Sequence, residues 1–362
     1  MKSQTFLKYY KWSSIFAFIA IILGGAMGYN TGGVNGILAG VVSIIILSVL
    51  EVSLSFDNAV LNAKKLKDMD QYWREWFIKW GILIAVFGMR LIFPIAIVSI
   101  LGHMAPWTAI ALALDNPKEY SNILQASHHL ISGFGGAFLM LVAMEFFLDH
   151  EKDFHWISPL ERPLAAIGRF GLTVDAILTF AMIVGISFLI EPVKQVPFIL
   201  SGIVGIALFG GVHFLKGYLE GMDEAEQELA DKGMKAGAAV AKSGLAGVIY
   251  LEILDASMSF DGVIGAFAIT TNIFTVMLGL GVGAFYVRSM TIHMVESNTL
   301  SEYRYLEHGA LWAIFALASI MLLGPVLHVS EVFTGCVGAT LVGIAVWHSH
   351  VANKREAAVT SA

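Results

Sequence analysis

Residues 51–58 read Glu51-Val52-Ser53-Leu54-Ser55-Phe56-Asp57-Asn58, inside a run, 34–62, that is otherwise apolar enough to cross a bilayer. The same order returns at Asp255-Ala256-Ser257-Met258-Ser259-Phe260-Asp261-Gly262 inside the run 241–271, with Glu252 one turn earlier. The octets align without a gap at an offset of 204 positions, 255 against 51. Four of the eight columns are identical, and a fifth exchanges one acid for another. An ionisable group at the hydrocarbon centre costs about 2.5–3.5 kcal/mol on insertion scales. Five such acids (Glu51, Asp57, Glu252, Asp255 and Asp261) would together cost on the order of 10 kcal/mol unless something neutralises them. A duplicated acidic cluster at membrane depth therefore points to a bound cation.

The surrounding chain has the composition of a membrane protein. Of 362 residues, 57% are hydrophobic and 14% charged, and the mean hydropathy is +0.74, outside the range of ordinary soluble domains. Apolar runs of spanning length recur at about 12–30, 34–62, 76–101, 128–148, 170–190, 197–219, 241–271, 273–296, 306–327 and 331–349. The expected fold is an all-α polytopic membrane protein of about ten transmembrane helices. The first run follows Lys2, Lys8 and Lys11 but is long and closely followed by a second, so it reads as an uncleaved helix rather than a signal peptide. One cysteine, Cys336, excludes an internal disulfide and a thiolate metal cluster.

Placing the N-terminus in the cytoplasm puts Lys118 and Lys194 outside and Arg90 and Arg288 within spans, which leaves 18 of the 22 basic residues on the inner side. The positive-inside rule then puts both termini in the cytoplasm, in a multi-pass plasma (inner) membrane protein. The outer segment 102–127 is the long external connection. The acidic stretch 220–240 reads as a polar, partly helical cytoplasmic linker. Residues 1–190 form a first repeat with the motif at 51–58, and 191–362 a second with the motif at 252–262. Five spans per half is an odd number, so the second half is inverted relative to the first. Inverted repeats that bring interrupted helices together near the midplane are a recurring transporter architecture.

On an uninterrupted helix Glu51, Ser55, Asn58 and Asn62 share one face, as do Glu252, Asp255, Ser259 and Gly262. Asp57 and Asp261 sit roughly 120° away from those stripes at ~100° per residue. Ser and Asp favour helix starts, and Gly262 and Gly265 loosen the second segment, so a local break near Ser-Phe-Asp is expected in both. The predicted metal-binding set is Glu51, Ser55, Asp57, Asn58, Glu252, Asp255, Ser259 and Asp261. These are hard oxygen donors, which suit Mn²⁺, Mg²⁺ or Ca²⁺. Arg90 and Arg288 read as counter-ions to the acids, and Asp175 as a relay acid or a helix-end residue. Five acids against two arginines leave roughly three negative charges, enough for a divalent ion plus a proton. Glu145, Asp149 and Glu296 read as mouth or interface groups, and His128 or His129 as the histidine best placed at a pore mouth.

At Glu51-Val-Ser-Leu-Ser-Phe-Asp57-Asn58-Ala-Val the chain resembles the TerC family of integral membrane proteins, named for tellurium resistance. It looks closest to the branch carrying a second, diverged motif, here Leu254-Asp255-Ala-Ser-Met-Ser-Phe-Asp261-Gly262, with Asp for Glu and Gly for Asn. The resemblance implies efflux of a divalent metal, chiefly Mn²⁺, and carries the site to Glu51, Asp57, Asn58, Asp255 and Asp261. The expected function is export of such a cation by alternating access with proton exchange. The expected partners are the ion and the lipid bilayer, without nucleic acid, prosthetic group or enzymatic activity, and the oligomeric state stays open. Two other readings compete: a membrane scaffold of a tellurite or stress-resistance complex, and an intramembrane aspartyl enzyme using Asp57 and Asp261.

Overall fold

The computed structural model describes residues 2–81, 84–150, 152, 155–168, 174–231, 243–270, 272–297, 303–327 and 329–360. Helix is continuous over Lys2–Leu54 except at Gly32 (φ −146°, ψ 18°) and Gly33 (φ 59°, ψ −142°), where the chain reverses. Gly33 occupies the left-handed region that a side chain disfavours. The two arms, α1 (Phe6–Asn30) and α2 (Gly32–Leu54), pack backbone to backbone. A Cβ on Gly28 would lie 2.0 Å from the Gly36 carbonyl oxygen, and one on Gly40 would lie 2.2 Å from that of Gly24. In lipid, where apolar burial does not drive association, such close approach is what holds helices together.

Helix α2 breaks at Ser55 (φ −108°, ψ 14°), and α3 (Phe56–Asp68) begins on the next residue. The backbone N–H of Asn58 donates to Asp57 Oδ1 at 3.0 Å, so a first-turn carboxylate satisfies an amide at the new helix start. The far end of α3 is capped by Arg74, whose Nε and guanidinium donate to the carbonyls of Leu66, Lys67 and Met69. Arg74 lies on α4 (Gln71–Trp76), which runs into two π-helical stretches, Phe77–Gly81 and Ile84–Ile92, and then α5 (Phe93–Leu101).

The segment 102–127, expected as the long external connection, contains two short helices, α6 (Pro106–Asp115) and α7 (Pro117–Ala126). Each starts on a proline preset for a first helical turn, and Asn116 accepts the Glu119 amide as the N-cap of α7.

Helix α8 (His128–Leu148) is buried nearly all round, and its Phe138–Ala143 segment forms the middle of the main core. α9 (Ser158–Gly168) is short, and α10 (Val174–Ser187) leads to α11 (Pro192–Asp231). The expected linker 220–240 thus begins as a helical extension of α11, and 232–242 lie outside the described residues. Then follow α12 (Ser243–Ile269), α13 (Ile273–Glu296), α14 (Leu306–Leu323) and α15 (Glu331–Thr360).

No strand occurs among the described residues. Seven helices there are long and apolar enough to cross a membrane: Phe6–Asn30, Gly32–Leu54, His128–Leu148, Pro192–Leu219, Ile273–Glu296, Leu306–Leu323 and Phe333–Arg355. The protein is an all-helical polytopic membrane protein, and large apolar side chains such as Phe18, Val34, Phe188 and Phe214 stand exposed on its outer faces. Of the ten expected spans, 76–101 is part π-helical, 170–190 shortens to α10, and 241–271 becomes the acid-bearing α12. Only the first motif is interrupted. α12 runs through Asp255–Gly262 without a break, because Gly262 serves close packing there rather than bending: its Cβ would lie 3.3 Å from a Glu51 carboxylate oxygen.

One anchor outside the motifs closes the inner core. Glu161 on α9 is fully buried and accepts from Trp312 Nε1 (2.9 Å) and from the amides of Trp156 (3.1 Å) and Ile157 (3.3 Å), with His308 Nδ1 at 3.0 Å. Burial alone would raise this carboxyl. The bonds from His308 and Trp312, the His308 charge and the Ile157 amide outweigh it and hold the group at about 2, below its ordinary 4.5.

Two predictions follow from this packing. Gly28→Leu will lower the thermal midpoint in detergent by more than the ~1–3 kcal/mol of ordinary overpacking, because the facing atoms are backbone. Because the folded-state value of Glu161 is depressed, its contribution is present above pH 4.5 and fades as the pH falls toward 2. The stability gap between wild type and Glu161→Gln should therefore shrink across that window in acid unfolding.

Candidate cation site between the motif helices

The two motifs meet through exchanged contacts. Asn58 Nδ2 donates to Asp255 Oδ1 at 2.5 Å, and Glu51 lies against Gly262. In the alignment Glu51 matches Asp255 and Asn58 matches Gly262. Residue 51 of the first motif therefore faces the partner of 58, and 58 faces the partner of 51. Contacts that exchange in this way are those of two copies related by a two-fold axis, with the segments antiparallel. At this contact the two motif segments run antiparallel.

Glu51 is 1% exposed and Arg90 2%, and the two form an ion pair. Glu51 Oε1 also accepts from Ser55 Oγ at 2.9 Å. Room for Glu51 is made by Gly283 on α13, whose Cβ would lie 2.4 Å from that of Glu51. A cavity of about 50 Å³ opens beside the pair, lined by Ser55, Asn62, Gly81, Arg90, Glu252, Asp255, Arg288 and Thr291 among others. Arg288 donates from Nε to the carbonyl of Ile78 at 2.8 Å, and its guanidinium bonds the same oxygen. Expected as a counter-ion to a motif acid, it binds backbone in the π-helical stretch instead, because Ile78 presents a carbonyl within its reach.

Buried oxygens without a hydrogen bond inside the protein concentrate here. Among the described residues they include Asn58 Oδ1, Asn62 Oδ1, Glu252 Oε1, Asp255 Oδ2, Ser257 Oγ and Ser259 Oγ, against only Tyr120 and Thr179 elsewhere. Five of the six belong to the two stripes read from the motifs, Asn58 and Asn62 on one, Glu252, Asp255 and Ser259 on the other. Three of the six, on Asn62, Glu252 and Asp255, line the cavity; each buried acceptor left unpaired costs roughly 1–3 kcal/mol, and a cation in the cavity would satisfy all three. Among the described residues no three His, Cys, Asp or Glu side chains lie close enough together to hold a metal ion. A cation here would therefore take at most two carboxylates and complete its shell from amide and hydroxyl oxygens.

The other predicted residues lie elsewhere. Asp57 is buried but does not line the cavity. It stays one turn before Leu61 and two before Lys64, on the opposite face of α3, and its carboxylate is engaged by the Asn58 amide. Asp261 falls on α12 with its side chain outside the described residues. Asp175 opens α10 and accepts from the Ala176 amide at 2.8 Å, near the charges of Glu145 and His213 rather than the motif acids.

Glu145 and His213, 2.8 Å apart, belong to a larger vestibule of about 360 Å³ lined also by Leu61, Lys64, Lys65, Asp149, Lys216, Tyr250 and Glu307. Helix α3 divides the two spaces. Ser55, Asn62 and Leu66 face the small cavity, and Leu61, Lys64, Lys65 and Asp68 face the vestibule. Thr291, which donates to the Ala59 and Val287 carbonyls, and Gly81, where a Cβ would lie 2.9 Å from Glu252 Oε1, carried no signal in sequence that marked them for the site.

No curated protein and no solved structure matches this chain. The model of one family, described as a protein of unknown function (DUF475), matches residues 56–356, which contain α3, α12 and every cavity-lining residue except Ser55. That match covers most of the 362 residues, and the chain belongs to the DUF475 family.

Proposed function

We propose that the protein is a transporter that carries a divalent cation across the membrane by alternating access, in exchange for protons. The observation that carries the reading is the set of unpaired buried oxygens on the two motif segments, of which Asn62, Glu252 and Asp255 face one cavity. Carboxylate, amide and hydroxyl oxygens are the ligands of a hard dication. The resemblance to TerC proteins supplies the identity Mn²⁺ and the direction outward. The distribution of Lys and Arg supports cytoplasmic termini in a plasma (inner) membrane. On that orientation the vestibule with Lys64, Lys65 and Lys216 is the cytoplasmic entrance.

Alternating access needs a wall that can move, and α3 is suited to it. It separates vestibule from cavity and meets α2 at Ser55, whose backbone leaves the helical region while Ser55 N–H still donates to the Glu51 carbonyl at 2.9 Å. Tilting α3 about that break would join the two spaces and open the site inward. Asp255 and Glu252 have the chemistry to receive a proton as the ion leaves, since metal binding requires deprotonated carboxylates.

In proteoliposomes loaded with a Mn²⁺-sensitive dye, wild type should pass Mn²⁺, Asp255→Asn should lose at least ~90% of the flux, and Asn62→Ala should raise the half-saturating Mn²⁺ concentration by about tenfold, the loss of one oxygen ligand at ~1.4 kcal/mol. Undiminished flux in Asp255→Asn at equal protein incorporation would refute the site. Wild-type vesicles tight to Mn²⁺ under every imposed pH gradient would refute the transport reading altogether.

A further inference from the structure

The bookkeeping of charge around the cavity leaves one arginine too many for a dication. Glu51, Glu252 and Asp255 contribute three carboxylates, and Arg90 and Arg288 two guanidinium groups, so the site as it stands balances only a single positive charge. A guanidinium does not lose its proton in a protein, so Arg90 cannot be neutralised in place. Withdrawing it leaves two negative charges, the balance a dication needs.

Arg90 is also placed to compete. Its guanidinium pairs with Glu51 and lines the same cavity as Asp255, so it borders both aligned acids of the two motifs. Its backbone belongs to the π-helical stretch Ile84–Ile92. A π-helix is rare at this length and marks functional positions in many helices, because reverting to α-helical hydrogen bonding turns its residues about the axis.

We propose that Arg90 is a tethered surrogate cation: its guanidinium occupies the motif acids when no ion is bound, and the transported dication must displace it to enter. This rests on the transport reading above and adds what regulates that site. An empty carrier whose acids are paired to its own arginine can reorient without leaving bare charges in lipid. Arg90 also sets the affinity, because part of each ion's binding free energy is spent in breaking the Arg90 contacts. Arg288, already bonded to a backbone carbonyl in this state, is not the competing group.

The test is Mn²⁺ binding to the full-length purified protein by isothermal titration, with Asp255→Asn as the site control. The proposal expects the affinity to rise in the order wild type, Arg90→Lys, Arg90→Gln. The neutral variant should bind at least about tenfold tighter, and Lys, which keeps the charge on a compact ammonium without the guanidinium fork, should bind a few-fold tighter. Arg90→Gln should have a lower thermal midpoint than wild type without metal and regain it with Mn²⁺. If Arg90→Gln does not fold, Arg90→Lys alone decides. Unchanged or weaker affinity in the folded variants, with wild type binding and Asp255→Asn not binding, overturns the surrogate role and leaves the transport reading standing. Absence of Mn²⁺ binding in wild type and in every variant overturns both.

Discussion

Charge inside a bilayer has nowhere to go but to other protein groups, and the centre of this molecule is organised by that constraint. Glu51 is reconciled with lipid depth by Arg90 and Ser55, and Asp255 by Asn58. Both solutions need segments far apart in sequence to approach closely. Glycines supply the approach: Gly262 against the Glu51 carboxylate and Gly283 against its aliphatic stem. The hairpin of α1 and α2 extends the same device, since Gly24, Gly28, Gly36 and Gly40 let one arm brace the other while α2 presents Glu51 to α12 and α13. Ser13 to Ser289 and the Phe285 carbonyl, and Ser48 to the Gly279 carbonyl, fasten that hairpin to α13.

Much of this was legible in sequence. The succession of long apolar runs carries the fold class, because helices apolar all round belong in a membrane, and the gapless octets mark the acids, because charge at that depth is too costly to be accidental. The stripe Glu51, Ser55, Asn58, Asn62 and its counterpart Glu252, Asp255, Ser259 follow from 3.6 residues per turn and are the faces that meet. What the octets did not carry was partner choice. Asp57 has the same residue type and nearly the same position as its neighbours, but its carboxylate is used at the helix start, which only the break at Ser55 decides. Arg90 and Arg288 look alike in sequence. One finds a carboxylate and the other a carbonyl, because the carbonyl of Ile78 is offered by a π-helical stretch that residue type does not announce.

The short helices α6 and α7 carry a related lesson. Pro106 and Pro117 each occupy a helix start, where a missing N–H costs nothing. The Glu161 anchor left no motif at all. Its donors come from α14 and from the two residues just before α9, and a lone Glu among Pro and Arg in an amphipathic helix looks like a solvated group until Trp312 and His308 close over it.

The departure of the second motif from the first then acquires a physical meaning. A perfect repeat would place an amide at 262 to meet Glu51, as Asn58 meets Asp255. Glycine stands there instead, so Glu51 lacks that amide and is served by Arg90. The two motifs are thus complementary rather than equivalent: one acid is held by a neutral amide and the other by a guanidinium. In an inverted repeat the opposite-facing state arises when the halves exchange conformations. An exact two-fold would make those two states equal in energy, with no preference for where the empty carrier rests. Replacing one amide by glycine and supplying an arginine in its place breaks that degeneracy at the site itself. The asymmetry between Asn58 and Gly262 is therefore the point at which two otherwise matched motifs differ in how their aligned acids are held.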